Sequence, residues 1–417
     1  MSAGAGVRVA VLQVLRRVRD GARFEPALDA AVRTLPPADR RLTHEIAAGV
    51  LRHRAELDRT LRPLVVAQWS RVVPDVQDLL RTGAYQLQHL DRVPAYAAIS
   101  ATVEAAKDTV GPRPAGLVNA VLRRLASAPT AAPAPAADLA ERYSHPAWLV
   151  DRWREAFGTE RTEALLRHNN TRPPLTVRPV GTSPEALRAA FEQAGIPVRA
   201  APFPPALQLE SSDVRSLPGY DEGRFIVQDA AQARLLEFAA IPADLSVWDA
   251  CAAPGGKAAA LSGDVRRLFA SDARRDRVRY LRQTLARVAP RVPVFVGDAR
   301  RPPLRRGTVG AVLVDAPCSA TGTLARHPDA RWRLEPSRIQ GLAGRQQAIL
   351  DAVAEVVAPG GLLVYLTCSL EPEENARQVD GFLDRHPGFC REGDDLSIFP
   401  PDAGTDGGYG ARMRRLS

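Results

Sequence analysis

Two cysteines in the second half of the chain each follow an apolar run. Cys318 stands in DAPCSATGT after the run GAVLVDAP, and Cys368 stands in LTCSLEPEEN after the run GLLVYLT. If the two runs are neighbouring strands of a parallel sheet, both thiols emerge at the same carboxyl edge and face one cleft. Such a pair can supply a nucleophile together with a group that assists its release.

This pair of thiols suits methyl transfer to carbon 5 of a pyrimidine, which is a poor nucleophile by itself. A thiolate that adds to carbon 6 makes carbon 5 the nucleophilic end of an enamine, after which a base removes the carbon 5 proton and the thiolate leaves. Asp315 precedes Cys318 by three residues and can hydrogen-bond the ring-nitrogen edge of the base. Position alone does not rank the two cysteines.

A glycine-rich segment after an earlier apolar run predicts the cofactor site. In DACAAPGGK, residues 249–257, small residues and a Gly-Gly pair let the backbone approach a ligand, and free amides at a helix start favour an anionic group. Asp272 and Asp298 end the next two predicted strands, where carboxylates accept hydrogen bonds from ribose hydroxyls. The segment GDARRPP at residues 297–303 lacks a phosphate cradle with a lysine and a Ser or Thr, so S-adenosylmethionine fits better than a nucleoside triphosphate. Lys257 is expected to help place the cofactor or to favour a thiolate nearby.

The surrounding pattern predicts the domains that position these motifs. Apolar strands alternate with helical segments over residues 224–417, which is typical of a Rossmann-like, doubly wound α/β domain. Residues 1–126 repeat apolar positions every three or four residues and predict an all-helical domain. Between them we predict an Ala/Pro-rich linker at 127–138 and a small α/β connector at 139–223.

Composition narrows the class of protein. The chain has 417 residues, 45% of them hydrophobic and 25% charged, with no apolar run near the ~20 residues of a membrane span, so we expect a cytoplasmic protein without a membrane partner. A formal charge of +9 and a pI of about 9.9 suit a nucleic-acid partner. The four cysteines form no CxxC motif, and no histidine lies near them at the spacing of zinc ligands. They therefore indicate neither a metal site nor a disulfide framework. We expect a monomer.

The three motifs together closely resemble those of the Nol1/Nop2/Sun family of RNA cytosine-5 methyltransferases, and FIVQDAAQ at residues 225–232 resembles the motif that leads into that family's catalytic fold. The resemblance implies that Cys368 is the nucleophile and that Cys318 assists product release, whereas DNA cytosine-5 methyltransferases use the Pro-Cys thiol. It implies S-adenosylmethionine contacts from Cys251, Ala252, Ala253, Pro254, Gly255, Gly256, Lys257, Asp272, Asp298 and Asp315.

The resemblance covers the whole chain. The helical segment is similar to the NusB-like RNA-binding domain of the Sun/Fmu branch, the bacterial 16S ribosomal RNA enzymes, and YSHPAWLVDRW and DGGYGARMRR also match that branch. It implies methylation of carbon 5 of a cytosine in 16S rRNA, on a base that is single-stranded or flipped out. One departure is Ala258, where the family commonly has threonine.

Three alternatives stay open at this point. The same chemistry on transfer RNA is one, and a non-catalytic ribosome-assembly factor is another, although all the expected thiols and acids are present. An amino-group methyltransferase would carry an Asp/Asn-Pro-Pro-aromatic string where this chain has DAPC.

Four other features receive simpler interpretations. Cys251 is interpreted as a packing residue of the cofactor loop and Cys390 as structural. His327 and Arg331 contact RNA phosphate or form a polar loop face, and EPEEN begins a helix.

Overall fold

The structure is a computed structural model that describes residues 3–127, 136–210 and 213–417. The predicted linker at 127–138 lies mostly outside the described residues. None of the helices in the described ranges combines the length and the apolar character that crossing a bilayer requires.

The described residues group into two compact units. The first runs to Thr171 and also contains Leu324–Arg333, and the second contains Arg172–Thr323 and Leu334–Ser417. The domain boundaries predicted from the sequence stay predictions, because these units are defined by contacts and not by domain families.

The first unit is helical, as predicted. Its core contains side chains with no exposed surface, among them Val11, Ile46, Leu57 and Leu79. They recur at helical spacing, so each helix buries one apolar face. Its helices are α1 (Ala3–Arg19), α2 (Phe24–Ala31), α3 (Pro37–Arg52), α4 (Arg54–Leu61), α5 (Pro74–His89), α6 (Ala95–Val110), α7 (Pro112–Ser127), α8 (Leu139–Arg142), α9 (Ala147–Phe157) and α10 (Thr159–Asn169).

The segment RYSHPAWLVDRWREAFG at residues 142–158 is not one continuous helix. Helix α8 ends at Arg142 and α9 begins at Ala147, with Ser144 at a positive φ of 55° and Pro146 directly before α9. Proline disfavours the helical conformation in the residue before it and lacks a backbone donor, so a continuous helix cannot pass through this point.

The second unit begins with a four-stranded antiparallel sheet in the order β2-β3-β1-β4. Helix α11 packs on this sheet, and Leu187 of the helix is buried beside Val177 of β1. The fourth strand comes from FIVQDAAQ, past the boundary predicted at residue 223. The elements are β1 (Leu175–Pro179), α11 (Pro184–Gln193), β2 (Val198–Ala200), β3 (Leu207–Leu209) and β4 (Phe225–Val227).

The larger sheet of this unit carries the motifs, and all five predicted strands form. The strand order in this sheet is β10-β12-β9-β8-β5-β6-β7, and the five neighbouring strands β9, β8, β5, β6 and β7 are parallel to one another. Its elements are α12 (Ala230–Ala239), β5 (Ser246–Asp249), α13 (Gly256–Leu261), β6 (Arg267–Asp272), α14 (Arg275–Val288), β7 (Val294–Val296), β8 (Val309–Asp315), α16 (Pro336–Ala354), β9 (Val357–Thr367), α17 (Ala376–Arg385), β10 (Phe389–Arg391), β11 (Leu396–Ile398), α18 (Pro400–Ala403) and β12 (Gly408–Arg415), with α15 (Ala330–Arg333) in the first unit.

The strand order explains where a ligand can bind. The chain adds β6 and β7 on one side of β5 and then returns to add β8 and β9 on the other side. The reversal between β5 and β8 leaves a crevice at their carboxyl ends, which is the usual ligand site of open α/β sheets. The antiparallel strands β10 to β12 extend the sheet beyond β9 and were not predicted from the sequence.

Candidate active site

The two thiols of the DAPC and TCS motifs meet at the carboxyl edge of the large sheet. Strands β8 and β9 are parallel neighbours with Asp315 opposite Leu366, so the predicted adjacency is confirmed. Both cysteines follow these ends directly, and their Sγ atoms lie 3.2 Å apart. A Gly322 amide that donates to the Cys368 carbonyl at 3.0 Å joins the two loops as well.

The environment of the pair treats the two thiols differently. The hydrogen bond with Cys368 and burial both raise the pKa of Cys318 well above its ordinary value. Cys318 is therefore held in its protonated form.

The glycine-rich segment forms a close turn between β5 and α13. Gly255 has a φ of +113°, a conformation that residues with a side chain rarely adopt. Helix α13 begins at the next residue, Gly256. A Cβ at Gly256 would lie 3.1 Å from Nε2 of Gln228. Arg277 supports the turn by donating from Nη2 to the Ala253 carbonyl at 2.5 Å.

Ala258, the departure from the family pattern, is fully buried in the first turn of α13. It packs within the apolar core on that face of the sheet.

The acids that end strands β5, β6 and β7 occupy different surroundings. Asp249 is fully buried, and burial together with the nearby Asp315 raises its pKa to about 8. Asp272 is bound by Arg277 at 3.3 Å and accepts from the Arg274 amide at 3.0 Å.

Asp298, beyond β7, lies at the far side of the sheet from the thiols. Its carboxylate accepts from the Arg300 guanidinium at 2.7 Å, which lowers its pKa. The acids therefore share one edge of the sheet but not one cluster.

Lys257 links the cofactor loop to the DAPC strand. Its Nζ donates to Asp315 Oδ2 at 2.7 Å and to Gln232 Oε1 at 2.5 Å, and only 7% of the residue is exposed. A buried ammonium needs such partners because removing a charge from water is costly. Lys257 is therefore part of the site and not a surface lysine.

Unpaired acceptors in this crevice match the donors of an S-adenosylmethionine molecule. Neither carboxylate oxygen of Asp249 has a hydrogen-bond partner of good geometry among the described residues, and Oε1 of buried Gln228 has none. Buried polar atoms are normally satisfied, so these atoms call for a ligand with an ammonium or hydroxyl groups. The side chains present fit the group.

The remaining candidate residues differ in how well their surroundings match the predictions. Burial raises the pKa of Cys251, which suits the packing interpretation, and Cys390 is exposed in β10. Arg331 was interpreted as a possible phosphate contact, which is wrong here. It is fully buried in the first unit, where it donates to Asn170 Oδ1 at 2.7 Å and to the Asn169 carbonyl at 2.9 Å.

Glu374 of the EPEEN segment was missed as a site residue. Helix α17 does begin just after the segment, but the Glu374 carboxylate is fully buried and hydrogen-bonded to the serines that follow Cys318 and Cys368. The available signal was its position, an acid six residues after a candidate nucleophile.

One group of potential metal ligands comes together in the described part of the first unit. His53, Glu56 and His89 bring their donor atoms within 4.8 Å of one another. His53 Nδ1 and Glu56 Oε2 already hydrogen-bond at 2.7 Å, and the two imidazole rings are tilted by 30° with centroids 4.3 Å apart. The expectation of no metal site stays a prediction.

Comparison with known proteins gives the family. The description "16S rRNA methyltransferase RsmB/F" matches residues 239–412, "NusB family" matches 6–127, and "Methyltr_RsmF/B-like, ferredoxin-like domain" matches 145–215. The ribosomal RNA small subunit methyltransferase B of Vibrio cholerae is 38% identical over 98% of this chain and 97% of its own length. The chain belongs to the RsmB/F family of 16S rRNA methyltransferases.

Further relatives agree with this membership. A probable ribosomal RNA small subunit methyltransferase B of Synechocystis is 34% identical over 88% of this chain and 86% of its own length. The crystal structure of PH0851 covers 99% of both chains with a TM-score of 0.83 at 24% identity. NSun6 from Pyrococcus horikoshii with SFG covers 65% of this chain and 98% of its own at a TM-score of 0.58 and 18% identity. These two structures support the fold alone.

Membership of this family confirms three expectations from the sequence: the resemblance itself, the helical domain followed by a Rossmann-like methyltransferase domain, and S-adenosylmethionine as the cofactor. The protein is an S-adenosylmethionine-dependent RNA methyltransferase.

Proposed function

We propose that this protein transfers a methyl group from S-adenosylmethionine to carbon 5 of a cytosine in 16S rRNA, through a covalent adduct on Cys368. The observation that carries the proposal is the pair of thiols 3.2 Å apart at the carboxyl edge, beside the crevice between β5 and β8. One thiol would suffice for a nucleophile; a second one in contact with it suits a reaction that must also expel the nucleophile.

Cys368 is the nucleophile in this proposal. Its sulfur adds to carbon 6 of the cytosine, the Sγ–C6 bond forms, and electron density moves to carbon 5. When bound, S-adenosylmethionine supplies an electrophilic methyl group, which carbon 5 takes up. A base then removes the carbon 5 proton, and the Sγ–C6 bond breaks with the electron pair returning to Cys368. The raised pKa of Cys318 supports this order of roles, because the protonated thiol is the poorer nucleophile.

Cys318 assists the last step. Its thiol lies in contact with Cys368 Sγ and can donate a hydrogen bond to that sulfur as it leaves as a thiolate. A hydrogen bond to a charged group contributes about 1.5–3 kcal/mol, which corresponds to about 10- to 100-fold in the rate of release.

Asp315 and Lys257 orient the base and the cofactor in this proposal. A third of the Asp315 side chain is exposed, while its Oδ2 atom is held by Lys257 at 2.7 Å. The fixed carboxylate can accept from the exocyclic amino group of a cytosine, and from ring nitrogen N3 once that atom is protonated in the adduct, and so place carbon 6 over the thiols. The remaining contacts of the proposed cofactor site come from the 251–257 loop, Asp272 and Asp298.

The choice of 16S rRNA rests on the relatives and on the NusB-like helices. The relatives described above are named ribosomal RNA small subunit methyltransferases. The helical domain would contribute phosphate contacts and register, which carry no base chemistry but give binding a steep dependence on salt. The localisation in the cytoplasm and the monomeric state remain expectations.

The decisive experiment is methyl transfer from labelled S-adenosylmethionine to small-subunit rRNA that lacks 5-methylcytidine and, in parallel, to transfer RNA. Nucleosides are identified by mass spectrometry. Wild type is compared with Cys368→Ala, and Cys390→Ala is the matched control because that cysteine is exposed in β10. We expect 5-methylcytidine in the rRNA from wild type and the control, and none from Cys368→Ala.

Other results would each contradict a stated part. Product in transfer RNA alone refutes the substrate, methylation of the exocyclic amino group refutes the carbon 5 chemistry, and activity retained by Cys368→Ala refutes the nucleophile. Label in neither RNA, while calorimetry shows cofactor binding, favours an assembly factor or a substrate that exists only as a protein-bound particle.

A further inference from the structure

Glu374 is a buried acid in the TCS loop that nothing in the proposed reaction uses directly. It has no exposed surface, and its carboxylate faces four donors: the Ser319 amide at 2.9 Å, the Ser319 hydroxyl at 2.5 Å, the Ser369 hydroxyl at 2.5 Å and Gln346 Nε2 at 3.1 Å. A carboxylate is the side chain that can accept from all of them, since an amide or an acid would turn one oxygen into a donor.

The donors to the Glu374 carboxylate lie directly beside the two cysteines in the sequence. Ser319 directly follows Cys318, and Ser369 directly follows Cys368, so one acid holds the residue after each thiol. The two hydroxyls also contact each other at 3.1 Å. Gln346 reaches from helix α16 to the Pro317 carbonyl at 3.0 Å, so the backbone is held on both sides of Cys318.

The next residue holds the other side of Cys368. Asn375 accepts from the Thr367 hydroxyl at 2.6 Å and donates to the Ser369 carbonyl at 2.9 Å. The Glu374 carbonyl in turn accepts from the Tyr365 hydroxyl at 2.7 Å. Both cysteines are thus flanked by hydrogen bonds that converge on the dipeptide Glu374–Asn375.

We propose that Glu374 is a positioning residue for the reaction, which keeps the Cys318 and Cys368 thiols in contact by binding the serine that follows each of them. This inference rests on the proposed function, because thiol contact matters only if both sulfurs take part. A group placed 1 Å away from its productive position can cost about 100-fold in rate. The carboxylate does not touch the reacting base in this proposal, so RNA and cofactor binding should be spared.

The variant that tests the proposal is Glu374→Gln, which keeps the shape but turns one acceptor into a donor facing a serine. Ser369→Ala removes only the hydroxyl that donates to Glu374 from the Cys368 side, and it is the milder second variant. The matched control is Glu355→Gln, an exposed acid at the end of α16 that pairs with Arg306 at 3.1 Å. Cofactor affinity by calorimetry shows that each variant is folded.

The first readout is geometric and needs no RNA. Diamide oxidises two thiols to a disulfide and takes up the two electrons and two protons itself; sulfurs 3.2 Å apart need to move only by about 1 Å to reach the bond length of a disulfide. We expect the Cys318–Cys368 disulfide, measured by mass spectrometry, to form at least about tenfold more slowly in Glu374→Gln than in wild type or the control.

The second readout is kinetic. We expect kcat for methyl transfer to fall about 10- to 100-fold in Glu374→Gln, with KM for RNA and for S-adenosylmethionine changed less than about twofold. Because both variants act through one set of hydrogen bonds, adding Ser369→Ala to Glu374→Gln should cost little more than Glu374→Gln alone.

The readouts separate the two proposals. An unchanged disulfide rate in folded Glu374→Gln overturns the positioning role, whatever happens to activity. A slower disulfide with unchanged methyl transfer supports the thiol positioning but overturns the part of the proposed function that uses both thiols. Additive kinetic effects of the two substitutions overturn the shared hydrogen-bond set.

Discussion

Asp249 makes the stability of the methyltransferase domain depend on pH in an unusual direction. An ordinary Asp titrates at 3.8, whereas burial and the neighbouring Asp315 raise the pKa of Asp249 to about 8 in the folded protein. Between these two values the folded state holds a proton that the unfolded state has released. The contribution of Asp249 to stability is therefore highest below pH 3.8 and falls as pH rises towards 8.

The size of the effect follows from the two pKa values. One pKa unit corresponds to about 1.4 kcal/mol, so the free energy of unfolding should fall by about 3 kcal/mol between about pH 5 and about pH 7.5. Asp249→Asn is neutral at every pH and should remove this slope. At about pH 7.5 the variant should be the more stable protein, while its affinity for S-adenosylmethionine falls.

The assay is urea unfolding of the cofactor-free, full-length protein at several pH values, followed by tryptophan fluorescence. Trp248 adjoins Asp249, is fully buried and is the one tryptophan among the described residues of the second unit. The fluorescence change that is lost in Trp248→Phe therefore reports the unfolding of that unit. Asp244→Asn, an exposed carboxylate before β5, is the control and should keep the wild-type slope. If wild type and Asp249→Asn show parallel pH profiles, the argument from burial is refuted.

Three further outcomes are expected. Cys318→Ala should accumulate a protein–RNA adduct that survives a denaturing gel, because release of the RNA slows by about 10- to 100-fold. Turnover of this variant at the wild-type rate would contradict the role of Cys318 in release. Gly256→Val should weaken S-adenosylmethionine binding by about tenfold in calorimetry, since its side chain must displace Gln228, with Gly263→Val, in open space, as the control. Arg331→Met should lower the free energy of unfolding of the first unit by about 2–4 kcal/mol, because buried carbonyls lose their donor; equal stability in urea would show that apolar packing compensates.

The site could be predicted from the sequence where function depends on the ends of strands. Apolar runs identified β5 to β9, and each motif follows one of them, so parallel pairing alone brings Cys318 and Cys368 to one edge. Glycine at 255 is required by a positive φ, and that requirement is local. Such features depend on a few consecutive residues.

Burial decided the features that the sequence left open or assigned wrongly. Arg331 resembles an exposed phosphate contact in the sequence, yet it is enclosed by carbonyls from segments about 160 residues away in the chain. Glu374 resembles an ordinary acid before a helix, yet it binds a serine 55 residues earlier. The residue type of a charged side chain next to a helix does not show whether water or protein surrounds it.

The sequence by itself determined the family, the cofactor and the strands that carry the chemistry, because motifs and hydrophobic periodicity are properties of short segments. Only the tertiary structure decided that the pKa of Cys318 is raised, which acid is buried beside the cofactor loop and which carboxylate joins the two cysteine loops. Those outcomes depend on desolvation and on distances between segments far apart in the chain, and neither quantity is encoded in any single stretch of residues.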